Sequence, residues 1–159
     1  IILSYMDEWL RSVVEQMDHN RKEWKVETLQ EKMLPILPEM PSGLTDEKLK
    51  HMKKRTLYQE LYVQTKDRYD LLQKALGGKE SMERLMRIIL LKTIDNKWMT
   101  HLDNMEKLKE GIGLTAYGQT DPVIAYKQEG YRMFFEMLEN IKIDTLSTLL
   151  HTRICPENT

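Results

Sequence analysis

The sequence has a single cysteine, Cys155, so no internal disulfide can form and no second thiol is at hand for a redox pair or a zinc knuckle. That usage suits a reducing cytoplasm. Net charge is also lacking: 24 basic and 25 acidic side chains are mixed along the chain and leave -1, so no basic stripe offers the counterion release that nucleic-acid binding needs. Nucleic acid is not an expected partner. No apolar run approaches the roughly 18 to 20 residues that span a bilayer, and the opening Ile1-Ile2-Leu3-Ser4-Tyr5-Met6-Asp7 has neither a basic n-region nor a cleavage site. Glycine is scarce at 7 residues and phenylalanine at 2, against 11 methionines and 31% charged residues, a balance that favours helices over sheets. Apolar residues make up 41% of the 159, enough for a core and too many for wholesale disorder.

What is present is helical period. Leu3, Met6, Leu10 and Val13 or Val14 recur at helical spacing from the first residues, without a Met start or a cap, and read as a helix continued from a longer chain. Residues 17–21 are polar and break the rhythm. A short helix then carries Trp24, Val26, Leu29, Met33 and Leu34, and ends in Pro35, Pro38 and Pro41; Ile36, Leu37 and Met40 between the prolines favour a packed connector over a polyproline recognition tract. Thr45 followed by Asp46 and Glu47 reads as a capped helix start, and Thr56 with Gln59 fits a capping box. Leu57, Leu61, Thr65, Tyr69 and Leu72 then mark one face, and Gly77-Gly78 stops it.

Two longer amphipathic segments follow, Ser81 to Glu110 and Pro122 to about His151, flanking one Gly-rich loop. They predict a long antiparallel helical hairpin, with Met82, Ile89, Ile94, Trp98, Leu102 and Met105 on one stripe and Val123, Tyr131, Phe134, Leu138 and Ile141 on the other. Asp121-Pro122 supplies its second N-cap and first helical residue. The expected fold is all-α: a small helical subdomain plus this hairpin.

The loop from Gly111 to Asp121 contains a literal G-x-G-x-x-A, but a dinucleotide site needs a preceding strand and none is evident. Gly77-Gly78-Lys79 lacks the first glycine and the Ser or Thr of a phosphate loop, so no ATP site is expected. His19, His51, His101 and His151 show no metal-ligand spacing and read as surface or cap residues, with no metal, cofactor or catalytic set. The run Lys48 to Arg55 is locally basic and reads as a solvated helix face. Ile112, Leu114 and Tyr117 are apolar or aromatic where a hairpin tip is usually polar, so either the tip folds back on its neighbours or it meets a partner chain. Composition alone supports a free-standing helical adaptor equally well.

The stretch Leu91-Lys92-Thr93-Ile94-Asp95-Asn96-Lys97-Trp98-Met99-Thr100-His101-Leu102-Asp103-Asn104-Met105 resembles the two-helix finger of the SecA family, with its Asp, Trp, His-Leu and Met landmarks. Leu108, Gly111-Ile112, Leu114, Tyr117, Gln119, Asp121-Pro122, Tyr126-Lys127, Glu129, Phe134 and Met137-Leu138 continue the same order without a gap. Upstream, Glu23-Trp24 with Leu29 and Lys66-Asp67-Arg68-Tyr69 are similar to the family's helical wing, so the resemblance covers nearly the whole chain. Where many members carry His and Arg in G-I-H-L-R, this chain has Gly113 and Thr115, a less basic tip.

The resemblance implies that residues 1–17 end a long scaffold helix, 18–79 form the wing, 80–154 the finger and 155–159 a tail. It implies a piece of a protein-translocation motor that is not itself an enzyme, the parent using ATP and magnesium in domains outside this chain. By carry-over, Ile112, Gly113, Leu114, Tyr117 and Gln119 form a fingertip against the unfolded preprotein at the SecY channel, while Trp98, Phe134, Asp121 and Pro122 are structural. The hairpin would also restrain the parent's nucleotide-binding domains. The implied location is cytoplasmic, peripheral at the inner face of the cell membrane.

Overall fold

The computed structural model describes residues 1–17, 19–39, 42–115 and 121–153, with Arg21 and residues 113–115 described in backbone only. Among them are six α-helices, one 3-10 turn at Arg21–Glu23 and no strand, the all-α class that the composition favours. No helix of the described residues is long and apolar enough to cross a membrane. The chain divides into two compact units, residues 1–87 with 146–159, and residues 88–145.

In the first unit, α1 (Ile2–Glu15) buries Ile2, Met6, Leu10, Val13 and Val14. The buried face starts one residue earlier than the spacing suggested, on Ile2 rather than Leu3, which is exposed, and Met17 in the expected polar break is buried as well. Trp24 follows the 3-10 turn and is almost fully enclosed. It precedes α2 (Val26–Met33), whose buried residues are Val26, Leu29 and Met33. Leu34, expected on that face, is exposed because the helix has already ended. The proline connector is packed, with Ile36 and Leu37 both buried; Met40 and Pro41 lie outside the described residues. The Gln64 carboxamide fixes its far end, donating to Ser42 O at 2.8 Å and accepting from Ser42 N at 2.8 Å.

The short α3 (Asp46–Lys50) starts as the sequence suggests, Thr45 Oγ1 accepting from Lys48 N at 3.2 Å. Asp46 does a second job, since its Oδ1 accepts from Val26 N at 2.9 Å and so supplies the acceptor that Lys25, at the N-cap of α2, does not. Helix α4 (Lys54–Ala75) begins ahead of the predicted capping box, which places Thr56 inside the first turn: Lys53, extended at φ -82 and ψ 153, makes the entry without a side-chain cap. Its buried face is the predicted one, Leu57, Leu61, Thr65, Tyr69 and Leu72, and Thr65 Oγ1 donates to Leu61 O at 2.8 Å, which satisfies that buried hydroxyl. Gly77 at φ 98 then ends it in a Schellman arrangement, Gly77 N donating to Lys74 O at 3.1 Å and Gly78 N to Gln73 O at 3.0 Å.

Helices α5 (Lys79–Thr115, 37 residues) and α6 (Pro122–Leu150, 29 residues) follow. Met82 of α5 and Leu146, Leu149 and Leu150 of α6 are buried in the first unit. Arg68 of α4 closes the end of α6, donating Nε to Leu150 O at 3.0 Å and Nη2 to Thr152 O at 2.7 Å, where a helix leaves carbonyls without partners.

Candidate functional site

Residues 88–145 take the middle of α5 and most of α6, and three contacts fix how the two helices pair. Lys97 Nζ lies 2.7 Å from Asp144 Oδ2, the rings of His101 and Phe134 are 5.9 Å apart, and a Cβ built on Gly130 would stand 3.0 Å from Met105 Cε. Partner numbers fall along α6 as they rise along α5, which is an antiparallel pairing. The absence of a side chain at Gly130 is what lets Met105 approach that closely. Both partners of the Lys97–Asp144 pair are partly exposed, so the pair sets register more than it stabilises.

The loop expected from Gly111 does not begin there. Gly111, Ile112, Gly113, Leu114 and Thr115 continue α5. Glycine costs a helix interior about 1 kcal/mol relative to alanine without breaking it, and Gly111 has no left-handed conformation of the kind that ends α4 at Gly77. At the other side of the loop the expected cap is present: Asp121 Oδ1 accepts from Val123 N at 2.9 Å, with Pro122 opening α6.

Of the candidate tip residues, Ile112 lines a cavity of about 370 Å³ with Lys109, Pro122, Val123 and Tyr126. The lining is mainly aliphatic and aromatic, suited to an apolar group. Gly113 and Leu114 belong to the last turn of α5; Tyr117 and Gln119 lie outside the described residues, as does Cys155.

Trp98 and Phe134, expected in the packed seam, meet through an intermediary. The Trp98 and His101 rings lie 5.5 Å apart at a 34° tilt, and His101 meets Phe134 edge-on at 5.9 Å. The histidine is the buried member of the three, at 8% exposure, while Trp98 keeps 45% and Phe134 36%. The expectation that each histidine is a surface or cap residue therefore fails at His101. It holds for His51, which caps α3, and for exposed His151, whose Nδ1 is 2.7 Å from Ser147 O. Periodicity did not single out His101, because its burial depends on a ring supplied by the other helix. Leu91, Met99, Leu102, Tyr131 and Phe135 are exposed, so the apolar residues of this unit spread beyond the seam they share. On the polar side, Arg132 donates to Glu129 and to Glu136, and the guanidinium holds the Glu129 carboxyl below its ordinary range.

Comparison with known proteins gives the family. The family described as the SecA Wing and Scaffold domain matches residues 1–153. The protein translocase subunit SecA of Lachnoclostridium phytofermentans is 40% identical over 137 residues, 86% of this chain and 16% of that protein. Its counterpart from Syntrophobacter fumaroxidans is 34% identical over 157 residues, 97% of this chain and 18% of the relative. Another, from Clostridium perfringens, reaches 52% identity over 77 residues, 48% of this chain and 9% of the relative. The chain thus spans less than a fifth of each of these relatives. With the family matched over almost its full length, on the helices and caps described above, the chain belongs to the SecA wing and scaffold family.

Proposed function

We propose that this chain is the polypeptide-handling helical part of a SecA-type protein translocase subunit, and that its hairpin tip meets the chain being moved. The observation that carries the reading is the match of the wing and scaffold family to residues 1–153, with relatives named as protein translocase subunits. Ile112, Gly113, Leu114, Tyr117 and Gln119 form the contact with unfolded preprotein at the SecY channel. Pairing of α5 with α6 through Lys97–Asp144 and His101–Phe134 keeps the hairpin stiff enough to pass on a domain movement. A phenol ring and an apolar cavity at Ile112 grip mixed side chains without choosing a sequence.

ATP hydrolysis with magnesium belongs to the parent's nucleotide-binding domains, which the hairpin restrains, and the parent works as a peripheral protein at the inner face of the cell membrane. The test is Tyr117→Ala in the full-length parent: preprotein transport into vesicles falls severely, basal ATPase is retained, and Tyr117→Phe is better tolerated. Normal transport, together with a lowered melting midpoint of the 159-residue chain, would instead make Tyr117 a packing residue.

A further inference from the structure

Threonines in these helices turn their hydroxyls back onto the carbonyl four residues earlier. Thr65 donates to Leu61 O at 2.8 Å, Thr93 to Ile89 O at 2.8 Å and Thr100 to Asn96 O at 3.1 Å. Thr145 of α6 does not. Its Oγ1 is the one buried side-chain oxygen or nitrogen without a hydrogen-bond partner among the described residues. Burial alone is not the reason, since Thr65 and Thr145 are both at 0% exposure and Thr65 is bonded. A buried hydroxyl left unpaired raises the free energy of the arrangement that leaves it so.

Thr145 sits where α6 changes surroundings. Over residues 131–140 most side chains of the helix are exposed, whereas Leu146, Leu149 and Leu150 are at most 1% exposed. The boundary between the two compact units falls at the same peptide, Thr145 closing 88–145 and Leu146 returning to the first unit. Thr145 does not line the cavity at Ile112, and with no exposed surface it meets no ligand from solvent. The acceptor within its own reach is the carbonyl of Ile141, one turn back. A rotation about χ1 would bring the hydroxyl there, because a helical threonine has rotamers that reach the preceding turn. A back-bond of this kind bends the helix that carries it.

We propose that residues 141–145 are a bending joint in α6. In the present arrangement the hydroxyl is unpaired. In the bent one it donates to Ile141 O, and that gain offsets the loosened backbone bonds across the joint. The two arrangements are thereby brought close in free energy, so the part of α6 before Ile141 can swing while Leu146, Leu149 and Leu150 stay enclosed. The joint rests on α6 alone and does not depend on the tip contact proposed above.

The test is native-state hydrogen exchange of the 159-residue chain at low urea concentrations, read on the amides of residues 145–148, whose helical acceptors are residues 141–144. These amides are expected to exchange at least about tenfold faster than those of Leu61 and Leu72 in α4, and with little dependence on urea, as a local opening does. Thr145→Val keeps the shape and removes the hydroxyl. It is expected to raise the melting midpoint and to slow exchange at 145–148 about tenfold, the scale of one net hydrogen bond. Thr145→Ser retains the hydroxyl and is expected to retain the urea-independent exchange. Thr65→Val is the control: it removes a paired hydroxyl and is not expected to raise the midpoint.

Exchange at 145–148 that matches Leu61 and Leu72 in rate and in urea dependence would overturn the joint, since those bonds would then break only when the whole chain unfolds. A midpoint lowered or unchanged by Thr145→Val would also overturn it, being the result for a hydroxyl already held by a buried water. So would a raised midpoint with unchanged exchange at 145–148, or equal slowing by Thr145→Ser. Tyr117→Ala is expected to leave exchange at 145–148 unchanged, so the failure of the joint and the failure of the tip reading are separate results.

Discussion

The two units treat similar amino acids differently. In the first, Met6, Leu10, Trp24, Leu29, Met33, Ile36, Leu49, Leu57 and Leu61 are all but sealed from solvent. In the second, Leu91, Trp98, Met99, Leu102, Tyr131 and Phe135 keep large exposed areas. Several short helices around α4 can cover one another from many directions, whereas two long antiparallel helices bury one stripe each and leave the rest open. The lesson is that helical period reports which residues are apolar on a face, and the number of neighbouring elements decides whether that face is a core. Stability therefore resides mainly in residues 1–87 with 146–159, and the exposed apolar groups of 88–145 are free for contacts.

The sharpest way to break that contrast is to truncate matched residues in both units. Trp24→Ala is expected to cost about 3 to 5 kcal/mol and Leu57→Ala about 2 to 5, the range for fully buried side chains. Trp98→Ala, with nearly half its surface already in solvent, is expected to cost less than about 2 kcal/mol on the same scale. Urea melts of the 159-residue chain read all three. A loss at Trp98 as large as that at Trp24 would show that the hairpin has a core of its own.

The next effect is Arg68→Ala. It strands the carbonyls of Leu150 and Thr152 that the guanidinium now satisfies, and is expected to cost about 1 to 3 kcal/mol. Faster hydrogen exchange in the last turn of α6 would locate the loss, whereas an unchanged exchange pattern would sever Arg68 from that helix end. Two glycines make a smaller comparison. Gly77→Ala forces a side chain into φ 98 and is expected to destabilise by about 1 to 2 kcal/mol. Gly130→Ala meets only the flexible end of Met105 at 3.0 Å; once that methyl swings aside, the gain in helix propensity wins, raising stability by less than about 1 kcal/mol. Opposite signs in paired thermal melts confirm that one glycine shapes a turn and the other only accommodates a neighbour.

Much of this was legible in the sequence wherever a signal is local. The buried face of α4, the Gly77-Gly78 stop, the Thr45 cap and the Asp121-Pro122 start all lie within a few residues of the groups they satisfy. The family was legible too, in the run from Asp95 to Met105. The end of α5 was not, because glycine terminates a helix only where the chain turns left-handed, and nothing in Gly111-Ile112-Gly113 tells that case from tolerated helical glycine. Contacts over long sequence separations were equally silent. Asp46 capping α2 from 20 residues away, Arg68 reaching across 82 residues to Leu150, and His101 buried against Phe134 each depend on an element that local spacing does not describe. The candidate site divides the same way: Ile112 and the tip came from composition and resemblance, while the His101–Phe134 contact exists only once the two helices are paired.

The smallest effect tests the first unit through its only strongly shifted phenol among the described residues. Tyr58 of α4 donates its hydroxyl to Asp7 of α1, Arg11 Nε donates to the other carboxylate oxygen at 3.0 Å, and the guanidinium carbon sits 4.7 Å from the centre of the Tyr58 ring. Burial first, and then the bond to Asp7, push the Tyr58 hydroxyl up to about 12, while the bonds from Tyr58 and Arg11 lower the Asp7 carboxyl. The signs follow from linkage. Tyr58 has a raised folded pKa, so its contribution is complete below the unfolded value near 10 and is lost as pH climbs to about 12. Asp7 has a depressed one, so its contribution is present above the unfolded value near 3.9 and is lost as pH falls through the lower folded value. Tyr58→Phe is expected to cost about 1 kcal/mol near neutral pH, because the bond is to a charged but solvent-screened carboxylate. It should also flatten both windows of a melting-midpoint profile in part, since Arg11 still holds Asp7 at the acid end, and Tyr69, raised by burial, and Lys66, raised by its bond to Asp70, still titrate at the alkaline end. An alkaline fall undiminished in Tyr58→Phe would place that titration on Tyr69 and Lys66 alone and detach Tyr58 from the joint between α1 and α4.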